Sequence, residues 1–169
     1  MRKLNSAAQN CDTKSKIGRG YLRLDAGSLR RKLSPMFRYT HRVVYAECTV
    51  GNHVYHSRYL DILEAARGEY FRALGSTVLH WQNHGAIFPV IEAKLRYKFP
   101  ARYDDVLAVE VWPTLLDKIR INFGHRILNQ ENKLILEAET FHVCTSVDEK
   151  PKRIPQELAE ILQPLVSQH

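Results

Sequence analysis

With 169 residues, 44% of them hydrophobic and 25% charged, the chain has the size and composition of one globular domain with a proper core rather than of two. No apolar run approaches the roughly 20 residues that span a bilayer, so no membrane-spanning helix is expected. The net charge of +7 looks like that of a nucleic-acid binder only until it is located: residues 1–35 hold nine Lys and Arg against Asp12 and Asp25, while the other 134 residues carry sixteen charges of each sign.

Three readings of that basic segment stay open: a flexible tail, an acid-poor targeting sequence, or translated sequence upstream of a start at Met36. It lacks the apolar stretch of a secretory signal, and no base-reading motif accompanies it, so neither a membrane nor a nucleic acid is the expected partner. The folded domain is then expected over residues 36–169. Cys11, Cys48 and Cys144 are odd in number and far apart, which points to a reducing, cytoplasmic compartment rather than a disulfide framework. The eight histidines are scattered, and His53 with His56 forms a lone HxxH. Neither a metal nor another cofactor is expected from that pattern.

Phe37 to Thr49 alternates and is rich in β-formers, which predicts a strand with Tyr45 and Thr49 on one side. Gly51-Asn52 breaks it. Ser57 is placed as the N-cap, and Gly75 as the C′ glycine, of a helix whose Tyr59, Leu60, Ile62, Leu63, Ala66, Tyr70, Phe71 and Leu74 make an apolar stripe too wide for a surface helix. A short second helix is expected within Ser76–Gly85. Strict alternation then predicts strands over Val90–Lys98 and Val106–Trp112, and a turn between Pro113 and Asp117. Strands over Lys118–Leu128 and Lys133–Val147 flank the hairpin loop Asn129–Asn132, and a last helix follows Pro155. Strand, long buried helix, then four strands on short turns make an α+β layout, one antiparallel sheet packed on one helix.

The segments YAECTVGNHVYHSRYLDILEAARGEYFRALG, GAIFPVIEAKLRYKFPARYDDVLAVEV and EAETFHVCTSVDEKPKRIP together resemble the hotdog-fold acyl-CoA thioesterases. The likeness is to the groups of 4-hydroxybenzoyl-CoA thioesterase and of the Tol-Pal-associated acyl-CoA thioesterase, and it runs from about Tyr39 to Pro155. It implies a five-stranded antiparallel sheet wrapped around the Ser57–Leu74 helix, and a homodimer or homotetramer with active sites between subunits. The implied activity is hydrolysis of an acyl-CoA or acyl carrier protein thioester to a free acid and a thiol, with coenzyme A entering only as part of the substrate. A catalytically impaired hotdog protein that binds acyl thioesters, or serves as an assembly partner, is the alternative. A hotdog dehydratase or hydratase is a third reading.

The family motif runs Tyr-x-Glu-Thr-Asp-x-x-Gly-x-Val-x-His-x-x-Tyr. It sets Tyr45, Glu47, Val54, His56 and Tyr59 on matching positions, Asn52 on the glycine, and Thr49 on the catalytic aspartate. A one-residue shift would place Cys48 there instead. Thioester hydrolysis needs an activated water or nucleophile and donors for the oxyanion. The His56 amide, at the start of the long helix, is the expected donor. A threonine hydroxyl has no useful basicity near neutrality, so Thr49 is expected to orient a water. The base is then His56, since imidazole suits proton transfer near neutral pH, or Glu64 on the helix, where some hotdog thioesterases carry their carboxylate. Glu64 equally suits an i,i+3 pair with Arg67, and Tyr45 and Tyr59 equally suit the core. Arg96, Lys98, Arg102, Lys152 and Arg153 are candidates for the phosphates of coenzyme A, or simply solvated cations.

Overall fold

The computed structural model describes residues 34–166, so the basic segment expected over residues 1–35 lies outside the described residues but for its last two. Strand β1 (Phe37–Arg42) leads into a short hairpin of β2 (Cys48–Thr49) and β3 (His53–Val54), then helices α1 (Arg58–Ala73) and α2 (Val78–Asn83). Four longer strands follow, β4 (Val90–Tyr97), β5 (Val106–Leu116), β6 (Arg120–Leu128) and β7 (Leu134–Val143), before helix α3 (Gln156–Leu162). The five long strands pair antiparallel in the order β1-β5-β6-β7-β4. This is the expected α+β arrangement, one antiparallel sheet wrapped around one long helix.

Helix α1 is held by its apolar stripe: Tyr59, Ile62, Leu63, Ala66, Tyr70 and Phe71 are all buried, as a 3.6-residue period against a sheet demands. It ends in a Schellman turn at Gly75, whose φ of 85° only glycine adopts without strain. There the Gly75 amide donates to the Arg72 carbonyl at 2.9 Å and the Ser76 amide to the Phe71 carbonyl at 3.1 Å. Two apolar clusters lie along the helix. One, at its start, joins Tyr59, Ile62 and Leu63 to Leu107, Ile127 and Leu136; the other, at its end, joins Tyr70, Phe71 and Leu74 to Phe123, Trp81 and Leu158. Helix α1 packs on β1 and β5 and leaves the same face of β4 open, where Ala93 is exposed and Ile91 and Tyr97 are 60% and 50% exposed.

Two expectations need correction. The first strand ends at Arg42 rather than Thr49. Val43 is drawn off the strand by bonds to the Asp104 amide and the Asp105 carbonyl, at 3.0 and 2.9 Å. The Glu47 carboxylate then accepts from the Val44 amide at 2.8 Å and bonds His41 Nε2 at 3.0 Å, winding Tyr45–Glu47 into a single 3-10 turn. Strand β5 also runs through Pro113 to Leu116: Pro113 stays opposite Phe123, beyond the last β1 pair at Val111, and a bulge at Thr114 follows before Leu115 meets Asn122. The turn comes later, where the Asp117 carboxylate accepts from the Ile119 and Arg120 amides at 2.9 and 2.8 Å.

The sheet's other face is charged in register. Arg38, Glu110, Arg126, Glu137 and Arg96 are direct neighbours across all five strands. Burial alone would raise the Glu110 carboxyl, but hydrogen bonds from Arg38 at 2.6 Å and Arg126 at 2.7 Å hold it below its ordinary value. Beside this row the Trp112 indole lies on Gly124, where a Cβ would meet the ring at 2.6 Å. Gly124→Ala should therefore overpack the sheet and lower unfolding free energy by about 1–3 kcal/mol, as read by urea titration.

Candidate functional site

The start of α1 supplies donors without using them. Ser57 occupies the cap position with φ −72° and ψ −24° and makes no side-chain cap bond. The Arg58 amide donates to the Tyr55 carbonyl at 2.9 Å and the Leu60 amide to the Ser57 carbonyl at 3.0 Å. The amides of His56 and Ser57 donate to no acceptor among the described residues. Free N–H groups at the positive end of a sixteen-residue helix favour negative charge developing on a carbonyl oxygen. The site is anchored to the open edge of the sheet: the Tyr97 hydroxyl donates to the His56 carbonyl at 3.0 Å, and the Tyr59 and Tyr97 rings meet edge to face at 5.5 Å. Tyr59 itself is buried, its hydroxyl raised by that burial and accepting from the Ala101 amide at 3.1 Å. Its hydroxyl thus holds the loop before β5 against the helix start.

Thr49 sits opposite His53 in the small hairpin that delivers the chain to His56. Asn52, at the motif's glycine position, adopts φ 59° and its Oδ1 accepts from the Tyr103 amide at 3.0 Å. An asparagine in this left-handed conformation does the work expected of the glycine. Tyr45 is not on a strand beside Thr49; it lies in the 3-10 turn, 81% exposed, with its ring edge-on to Tyr103. Desolvation and the nearby Glu47 and Asp105 carboxylates raise the Cys48 thiol, which disfavours a thiolate there. Glu47 acts through structure, bonding His41 and capping the turn.

Glu64 projects from α1 six residues, about 9 Å, beyond its first residue, with 62% of its side chain exposed, and it pairs with Arg67. The structure does not gather the five basic candidates within one protomer. Arg96 and Lys98 point away from the helix, with Lys98 3.1 Å from Glu137. Arg102 lies in the turn before β5, near the Tyr97 end of β4. Lys152 binds the His84 and Gly85 carbonyls at 3.4 and 2.8 Å, and Arg153 follows it, both at the opposite, Val90 end of the strand. A cavity of about 450 Å³ opens on the charged face around Trp112, Lys94, Arg96 and Glu139, on the side of the sheet away from α1.

Sequence reasoning passed over one group. Arg67, His125, Thr140 and His142 are buried between the two apolar clusters, under α1. Thr140 Oγ1 lies 3.2 Å from His125 Nε2 and 3.0 Å from His142 Nε2, and His142 Nδ1 lies 3.1 Å from the Phe88 carbonyl. Burial first, and the Arg67 charge second, lower His125 to about 3 and His142 to about 4. The signal was present: His125 interrupts the inward stripe Ile121, Phe123, Ile127, and Thr140 and His142 continue the stripe Leu136, Ala138. A histidine on an apolar stripe of a strand is a buried histidine.

The sequence pattern of a known family, described as the thioesterase-like superfamily, matches residues 43–162. The acyl-CoA thioester hydrolase YbgC of Escherichia coli is 32% identical over 124 residues, 73% of this chain and 92% of that protein. The crystal structure of the hypothetical protein TT1821 from Thermus thermophilus superposes with a TM-score of 0.72 at 31% identity, over 76% of this chain and 98% of that one. A DHNA-CoA thioesterase from Staphylococcus aureus, at 23% identity and a TM-score of 0.73 over 77% of this chain and 90% of that one, shares the fold. With the five-stranded sheet around α1 and the match across most of its length, the chain belongs to the thioesterase-like superfamily of hotdog proteins.

Proposed function

We infer that the protein is an acyl-CoA thioesterase, cleaving an acyl thioester with water to give a free acid and a thiol. The observation that carries this is the likeness to the Escherichia coli hydrolase over nearly all of that protein's length, a stretch that includes the open start of α1. Water adds to the thioester carbonyl, the oxyanion meets the free amides of His56 and Ser57, and collapse expels the thiol with the proton the base has taken. Thr49 and His56 hold the water beside the helix start, and Glu64 or His56 takes its proton. Coenzyme A enters as part of the substrate, no separate cofactor is needed, and the cytoplasm, where acyl-CoA is made, is the proposed location. Among the described residues no helix is long and apolar enough to cross a membrane.

The working unit is proposed as a homodimer through β4. That strand is a sheet edge eight residues long, and its apolar residues Ile91 and Tyr97 are exposed, an arrangement that unprotected edges do not keep in solution. Antiparallel pairing of two β4 edges about a two-fold axis sets the Val90 end of one strand beside the Tyr97 end of the other. The partner's Lys152 and Arg153 then approach the first protomer's helix start, near which Arg102 lies, and together they suit the phosphates of coenzyme A. Ile91→Glu should weaken the dimer by about tenfold in dissociation constant, some 1.4 kcal/mol, read by sedimentation against the 19.6 kDa monomer.

The test of the activity is thiol release from short-chain, long-chain and aromatic acyl-CoAs by the purified full chain. Turnover well above the buffer rate on at least one class is the expected result. A folded oligomer that binds acyl-CoA and releases no thiol from any of them would overturn the reading.

A further inference from the structure

The carbonyl of His56 and the amide of Ser57 belong to one rigid unit. The peptide between the two residues is planar, so the direction of its oxygen fixes the direction of the Ser57 N–H. It is the central peptide of a turn closed by the Arg58 amide on the Tyr55 carbonyl at 2.9 Å. Ser57, at φ −72° and ψ −24°, excludes the type II form of that turn, in which its position needs a positive φ. The turn's own bond joins the two outer peptides and leaves the plane between them free to rock. No backbone amide among the described residues donates to the His56 carbonyl. The Tyr97 hydroxyl does, at 3.0 Å.

Tyr97 can hold that plane because it is itself held. It stands opposite Leu136 in the pairing of β4 with β7, and the next two amides, of Lys98 and Phe99, both donate to the Ile135 carbonyl at 2.9 and 3.2 Å. The buried Tyr59 ring meets the Tyr97 ring edge to face. Burial raises the Tyr97 hydroxyl above its ordinary value, so the proton it donates stays on it near neutral pH. A carbonyl that accepts a hydrogen bond also polarises its own peptide, which makes the N–H on the other side a stronger donor. One bond from the sheet thus both aims the Ser57 amide and strengthens it.

We propose that Tyr97 is a positioning residue for thioester cleavage, which through the His56 carbonyl aims the Ser57 amide at the oxygen on which negative charge develops. The assignment rests on the thioesterase reading, in which that amide is an oxyanion donor. A donor aimed at the oxyanion is worth more in the transition state than against the neutral carbonyl of the bound thioester. Loss of the Tyr97 hydroxyl therefore acts on kcat and spares KM, whereas a loosened pocket would act on KM.

The test removes the hydroxyl alone: Tyr97→Phe keeps the ring and its contact with Tyr59. In the full chain, on whichever acyl-CoA the parent cleaves fastest, kcat should fall by about 10–100-fold, short of the full loss of a donor. KM should stay within about twofold. Without any substrate, the ¹⁵N signal of the Ser57 amide should move upfield as its peptide loses polarisation. 3-Fluorotyrosine placed at position 97 keeps the hydroxyl and donates more strongly, so it should retain the parent's kcat and move the Ser57 signal downfield. A Tyr97→Phe chain with the parent's kcat, a loss confined to KM, or an unmoved Ser57 signal would overturn the assignment. A parent that cleaves none of the acyl-CoAs would instead strike the thioesterase reading, and the Ser57 signals of the two altered chains would still decide whether Tyr97 holds the peptide. If Tyr97→Phe does not fold, the fluorotyrosine chain decides it, an unmoved Ser57 signal there overturning the assignment.

Discussion

Glu64→Gln is expected to slow thiol release by about 10²–10⁴-fold while leaving the fold intact. Thr49 has a hydroxyl and no base, and the Cys48 thiol is raised rather than activated. Glu47, the carboxylate closest in sequence, is committed to His41 and to the Val44 amide. Glu64 remains, an exposed carboxylate on the flank of α1, steadied by one i,i+3 contact with Arg67. The substitution keeps shape and hydrogen bonding, so the melting temperature should move little. His56→Ala should cost less, because the proposed oxyanion donors are main-chain amides that the substitution leaves in place. A Glu64→Gln enzyme at full rate beside an inactive His56→Ala enzyme would transfer the base to the imidazole.

The fold was legible where one physical signal dominates. Alternation located β4 and β6 within a residue or two, and the start of β7 within one though its end falls four residues short of Val147, because one face of each is packed or charged in register. The wide apolar stripe and Gly75 located α1 and its end. What failed were places where a side chain overrides local propensity. Tyr45–Glu47 reads as strand, yet the Glu47 carboxylate bonds the Val44 amide and His41 and winds it into a turn. Pro113 reads as a turn, yet the strand runs past it to a bulge at Thr114. At the site, the free amides at the helix start follow from the break before Ser57. The spread of Arg96, Lys98, Arg102, Lys152 and Arg153 over both ends of the sheet does not, since it depends on strand direction. The buried histidines were visible only as misfits in two apolar stripes.

Those histidines carry the second large expectation, a loss of about 2–4 kcal/mol in unfolding free energy between pH 7 and pH 5. In the unfolded chain both rings take a proton near 6.5, whereas in the fold burial and Arg67 lower His125 to about 3 and His142 to about 4. Between those values the unfolded state binds more protons, so stability rises with pH. The contribution is complete above about 6.5 and is lost as pH falls toward 4. Each ring contributes at most about 1.4 kcal/mol per pH unit. Carboxylates held low in the fold, Glu110 and Asp117 among them, act with the same sign but below the ordinary carboxylate range. Restricting the measurement to pH 5–7 therefore isolates the imidazoles. Against a total of about 5–15 kcal/mol for an ordinary domain, the slope should be plain in urea titrations at half-unit steps. His142→Asn, whose amide can still reach the Phe88 carbonyl, and His125→Gln should each flatten it. A flat profile in the parent chain would mean that the two rings accept protons inside the fold, and that solvent or a displaced Arg67 reaches them.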